Sequence, residues 1–270
     1  MKTKTKIYIA LGIFFAILLG VFIFTVKTEK KAGFRTLGEI ISAGKLRVVF
    51  DNSSIGFLTE NDSTSGFQYE MLKIFADSLG VELAISTNND LHQAIDRLKR
   101  GEVDIIAKLS PITTEWIDAV SFTEPLLVSR QMLVQRISEN NERQIITAQH
   151  ELANDTIFIP RNSPHRMRLV HLSDEIAAKI HIVEIENKNT EQLIALVAEG
   201  KIRHTIAHEQ LARKIKRQQR NLDTSLPVSF SQTYGWIVNK KSNELLEKLN
   251  DFLAGFIGTN EYWRLYRKYY

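Results

Sequence analysis

Residues 110–125 read SPITTEWIDAVSFTEP. The stretch opens with a turn, carries no helical stripe and ends in a second Pro turn. It offers hydroxyls from Ser110 and its threonines, carboxylates from Glu115 and Asp118, and the indole of Trp116. An indole can stack on a sugar or another flat face, or simply fill space in a core. Lys108 lies two residues upstream. Together with Arg161 and Arg166, and a helix start at Ser163, it could meet an anion; a solvated basic face is the plainer alternative. Asp51, at a strand end, could accept from an amine or hydroxyl, or act as an ordinary turn carboxylate. His204 and His208 are four apart and would share one face of a strand. A metal site would need a third ligand in register, and the chain has neither an HExxH pair nor any cysteine. A pocket or structural role is expected for these histidines, and no metal. No G-x-G-x-x-G, phosphate loop or G-x-S-x-G elbow is present, so no cofactor is expected. Glu115 is the obvious acid of the stretch, but such a Glu more often caps its own turn; no enzymatic activity is expected.

These residues need elements to position them. KLRVVF (45–50) reads as a strand, followed by the turn-rich DNSSIGFLTENDSTSG. YEMLKIFADSLG places Leu72, Phe75, Ala76 and Leu79 at helical spacing, with Gly80 as a stop. LHQAIDRLKRG repeats the design with Leu91, Ala94, Ile95, Leu98 and Gly101, and VDIIA (103–107) follows as a strand. Leu193, Ile194, Val197, Gly200 and the strand KIRHTIA recur later in the same order. TIFIP (156–160), IHIVEI (180–185) and YGWIV (234–238) add strands. Ser163 is placed as an N-cap with Pro164 at the first helical position. NELLEKLNDFLAGFI and EYWRLYRKYY read as closing helices. Strands alternating with helices predict an α/β fold with mainly parallel, open sheets. Such sheets take ligands at their carboxyl ends, here the loops after residues 50, 107, 159 and 207.

The chain has 270 residues, enough for one large domain or two smaller lobes. Residues 7–26, IYIALGIFFAILLGVFIFTV, carry no charge and are long enough to cross a hydrocarbon core of ~30 Å. They run into KTEKK without a small-residue cleavage site, so residues 1–31 are read as an uncleaved transmembrane anchor with its flanks. The natural topology puts the soluble part outside the cytoplasmic membrane. Residues 1–31 hold six lysines and one glutamate, while the whole chain is only +4, which leaves residues 32–270 at −1. The positive excess belongs to the anchor, which removes the main argument for nucleic acid.

The ordered series KLRVVF, GFQYEMLKIFADSLGVEL, LKRGEVDIIAKLSPITTEW and FTEPLLVSRQMLV resembles extracellular solute-binding protein family 3. NSPHRMRL and EGKIRHTIA are similar to the non-catalytic N-terminal module of membrane-bound lytic murein transglycosylase F. The resemblance implies a bilobed, periplasmic-binding-protein type II fold. One lobe would span 36–134 plus 234–270 and the other 135–233, with crossovers near Met132–Arg136 and Gln232–Tyr234. It also implies a ligand-binding cleft. At the position of Trp116, amino-acid binders of the family carry an Arg that forks onto the ligand carboxylate; an indole has one donor and no charge. The family's ammonium-holding Asp falls at His208, and its pocket Gly at Leu109. A standard α-amino acid is therefore not the expected ligand. The resemblance leaves two functions: capture of a small polar molecule such as a cell-wall fragment, for uptake or sensing, or a regulatory module for peptidoglycan machinery. A permease or a murein hydrolase would be the matching partner. No Glu-Ser segment in a helical context is present to serve as a murein hydrolase acid.

Overall fold

The computed structural model describes residues 33–61, 63–137 and 145–270. The apolar run at 7–26 lies outside them. Among the described residues, no helix is long and apolar enough to cross a membrane.

The chain opens with α1 (Leu37–Ser42), closed at its start by a capping box between Thr36 and Glu39. Then come β1 (Lys45–Phe50), a small hairpin of β2 (Leu58–Glu60) and β3 (Ser63–Ser65), α2 (Phe67–Ser78) and β4 (Glu82–Thr87). Next are α3 (Leu91–Lys99), β5 (Ile105–Pro111), the single turn α4 (Thr114–Ile117), β6 (Val120–Phe122) and β7 (Leu127–Ser129). β8 (Gln131–Arg136), β9 (Thr156–Pro160), α5 (His165–Glu175), β10 (His181–Ile185), α6 (Thr190–Ala198) and β11 (His204–His208) follow. The chain closes with α7 (Glu209–Gln218), β12 (Leu222–Asp223), β13 (Gln232–Asn239), α8 (Asn243–Phe256) and α9 (Asn260–Tyr269).

Two main sheets result. The first has the order β4-β1-β5-β13-β6, with β7 also on β13; the second runs β10-β9-β11-β8-β12. Each contains a parallel trio, β4-β1-β5 and β10-β9-β11. Each trio is flanked by an antiparallel strand, β13 beside β5 and β8 beside β11. The expectation of mainly parallel sheets is thus corrected to mixed sheets. The chain changes sheet at Arg130, between β7 and β8, and returns between β12 and β13, so each crossing strand enters against the direction of its neighbour.

The two trios are built alike. α3 buries Leu91, Ala94, Ile95 and Leu98, and α6 buries Leu193, Ile194 and Val197. Each helix ends before a glycine with positive φ, Gly101 at +70° and Gly200 at +75°, where a Cβ would be strained. A strand follows in both cases. Within the first sheet, Asp104 is buried and tied to the guanidiniums of Arg35 and Arg47. Burial alone would raise its carboxyl, but the two arginines overcome that and hold it below the usual range. α2 and α9 pack through Phe67, which meets the rings of Tyr262, Tyr266, Tyr269 and Tyr270 edge-on. EYWRLYRKYY is thus mainly a packed face.

Candidate ligand cleft

The carboxyl ends of the two trios face a shared cavity of about 120 Å³. On that measure one water needs roughly 10–15 Å³, so the space is of small-molecule scale. Asp51, Pro160 and His208 line it from the ends of β1, β9 and β11, and Lys108 from within β5, which runs on to Pro111 rather than ending at 107. Both sheets belong to one compact unit, Phe34–Tyr270.

The first wall carries the opposite charges of Asp51 and Lys108. Parallel pairing sets Phe50 against Ala107, so Asp51, just past the end of β1, comes beside Lys108, which still lies within β5. Asp51 accepts from the Ser53 hydroxyl, which in turn accepts from the Gly56 N–H at 2.9 Å. A Cβ on Gly56 would lie 2.6 Å from Asp51 Cγ, so only glycine lets this loop close over the carboxylate. Lys108 Nζ donates to the Asn89 carbonyl at 2.6 Å. Burial pulls its ammonium below the usual pKa, against the opposing pull of Asp51 and Asp90. Gln68 lines the same wall and is fully buried. Its Oε1 accepts from Trp236 Nε1 at 2.5 Å, while its Nε2 has no partner among the described residues. Ser110 and Tyr234, both buried, complete this side.

The second wall is formed by the starts of three helices. α6 has Asn189 as N-cap and Glu191 in its first turn. α7 has His208 as N-cap; its Nδ1 accepts from the Leu211 N–H at 3.3 Å. α5 begins at His165 with Pro164 as N-cap, one residue later than expected, and Ser163 Oγ accepts from the His165 N–H at 3.3 Å. His165 Nδ1 lies 3.0 Å from Gln131 Oε1. Burial lowers both imidazoles to about 4; His208 adds to the shift of His165, and Gln210 opposes that of His208.

Direct bonds join the walls. Asn189 Nδ2 donates to the Asn52 carbonyl, and Asn162 Nδ2 to Asp90 Oδ2 at 2.6 Å. Glu191 accepts from the Ser54 N–H at 3.1 Å and from its hydroxyl at 2.5 Å, and Lys214 Nζ donates to the same hydroxyl at 2.9 Å.

Of the residues singled out in the sequence, Asp51, Lys108, Ser110, Ser163 and His208 line the cavity. Trp116 and Arg161 do not. α4 turns the Trp116 ring onto α3, where it meets His92 edge-on at 5.0 Å and packs against the cluster around Leu91 and Val120. Arg161 is exposed and pairs with Glu186, because β9 and β10 run parallel and set these residues side by side. Arg166 likewise pairs with Glu184 at 3.3 Å. Gln68, His165 and Glu191 were missed. Gln68 had a usable signal, being a polar residue on the stripe of Met71, Leu72 and Phe75. His204 is held by Asp155 at 3.1 Å. Among the described residues, no three potential ligands cluster to hold a metal ion.

The model of the family described as bacterial extracellular solute-binding proteins, family 3, matches residues 46–270. The chain belongs to this family. Family 3 membership agrees with the solved structures it resembles. A mutant of ArgBP from T. maritima aligns with a TM-score of 0.72 at 24% identity, covering 86% of this chain and 98% of that one. The solute receptor for L-cysteine of Neisseria gonorrhoeae aligns with a TM-score of 0.74 at 16% identity, covering 87% and 93%. At these identities the likeness is one of fold. In sequence, this family 3 chain is 26% identical over 242 residues to the membrane-bound lytic murein transglycosylase F of Desulfosudis oleivorans, covering 90% of this chain and 52% of the relative. The protein of the same name from Pseudomonas fluorescens is 28% identical over 240 residues, covering 87% and 48%. The chain thus spans about half the length of the curated relatives it matches.

Proposed function

We propose that this family 3 protein captures a small polar solute, other than a standard α-amino acid, in the cleft between its two sheets. One observation carries the proposal: a cavity of about 120 Å³ at the carboxyl ends of both parallel trios, lined by Gln68, whose buried Nε2 has no partner among the described residues. An orphaned buried donor costs about 1–3 kcal/mol, which a ligand acceptor would recover. Among the described residues no arginine lines the cavity to give a bidentate grip on a carboxylate. In this proposal the lobes are 36–134 plus 234–270, and 135–233. They close by hinge motion at the two chain crossings. The run 7–26 anchors the protein in the cytoplasmic membrane with the cleft on the periplasmic or extracellular side, and a permease or sensor receives the bound solute.

The relatives support a second role for the same cleft. They are named murein transglycosylases, and this chain matches about half of each. Here the protein would act as a non-catalytic module that regulates peptidoglycan-remodelling machinery, with a cell-wall fragment as signal and a murein hydrolase as partner.

Thermal melting of the full chain against amino acids, short peptides and muropeptides tests both. A ligand at a hundred times its dissociation constant adds about 2.7 kcal/mol, a shift on the order of 5–10 °C for this size. A shift with a muropeptide but not with free amino acids is expected. A shift with a free amino acid would remove the restriction on ligand class. No shift, together with co-purification of a murein hydrolase, would favour the module.

A further inference from the structure

His165 and His208 stand together on the second wall, and their hydrogen bonds fix where each neutral ring carries its proton. The His208 Nδ1 accepts from the Leu211 N–H at 3.3 Å, so its proton sits on Nε2. The neighbouring Gln210 accepts from Ser129 Oγ at 2.6 Å and donates to the Val128 carbonyl at 3.2 Å, and its hydrogen bonding with His208 opposes the lowering of that ring's pKa. His165 is wired the other way. Gln131 Nε2 donates to Gln232 Oε1 at 2.8 Å, which turns Gln131 Oε1 toward the ring and places the His165 proton on Nδ1. Its Nε2 is a bare acceptor, with no hydrogen-bond partner among the described residues. Both rings line the cavity.

We infer that His165 and His208 form a donor–acceptor pair that selects an uncharged ligand group able to accept and donate at once, an amide or a sugar hydroxyl. This rests on the cleft being a ligand site. A carboxylate would meet the lone pair of His165, and an ammonium would meet the N–H of His208. An amide offers its carbonyl to His208 and its N–H to His165; a hydroxyl does both through one oxygen. The opposite wall adds the side chains of Asp51 and Lys108 and the Gln68 Nε2, which has no partner among the described residues, while Glu191 on the second wall is turned to Ser54.

Long-range proton–nitrogen NMR of the full chain labelled with ¹⁵N-histidine reads both tautomers directly. The expected result is a protonated Nδ1 on His165 and a protonated Nε2 on His208. In Gln131→Ala the His165 signals should move toward a tautomer mixture while His208 stays unchanged, an effect that loss of packing alone would not produce. N-acetyl-L-alanine amide, methyl glucoside and L-alanine are then added at millimolar concentration. The amide or the glucoside should shift both Nε2 signals and raise the melting temperature, and whichever does so names the source of the group. Either ring in the other tautomer, or binding of L-alanine that moves these nitrogens, would overturn the pair yet leave a solute-capturing cleft. No response to any of the three would overturn the pair, and capture would then stand or fall on melting with muropeptides.

Discussion

His165 has the most testable chemistry of any single residue in the cleft. Its folded pKa of about 4 lies below the ordinary 6.5 because the ring is buried. As pH falls, the unfolded chain therefore takes up this proton first. Its contribution to stability is full above 6.5, is lost as pH falls toward 4, and then levels off. The loss amounts to about 3 kcal/mol over that window. His208, also lowered to about 4, adds to the same window, so urea unfolding at several pH values should show a slope that His165→Asn makes shallower without abolishing it; an unchanged slope would place the ring in water. Asp51, Lys108 and His208 were legible because each ends an apolar run visible in the pattern, although β5 continues past Lys108 to Pro111. Trp116 was legible as a residue but not as a position. The one-turn α4 points its ring to His92, and no periodicity in SPITTEW records that turn.

At the scale of elements, the repeated design of helix, glycine and strand could be read directly, since amphipathic spacing and a positive-φ glycine are local signals. Strand direction could not. β13 and β8 look like any apolar strand, and their antiparallel entry follows from where the chain crosses between sheets. The start of α6 joins local and long-range roles in one side chain. Asn189 Oδ1 accepts from the Gln192 N–H at 2.8 Å, closing the helix, while Nδ2 donates across the cleft to Asn52. Asn189→Asp keeps the cap and removes the donor. Its unfolding free energy should stay within about 1 kcal/mol of wild type, because Asp and Asn cap equally well. X-ray scattering should show a larger radius of gyration as the cleft loosens. An unchanged radius would show that this bond does not hold the walls together.

At the scale of the whole molecule, direct ties across the cleft couple the two mixed sheets, among them Asn52–Asn189, Asp90–Asn162 and the Ser54–Glu191–Lys214 group. They enclose a cavity with Asp51 and Lys108 on one wall and two buried imidazoles together with Glu191 on the other. Lys108 is the buried cation of that space, and nothing in its own sequence neighbourhood announced that it would bond the Asn89 carbonyl. The most direct test is calorimetric titration of the best-stabilising solute into wild type and Lys108→Met. Wild type should bind one equivalent, and Lys108→Met should bind at least about tenfold more weakly, as expected when a charged hydrogen-bond donor is lost. Equal affinity in the two proteins would place the solute elsewhere and contradict capture in this cleft.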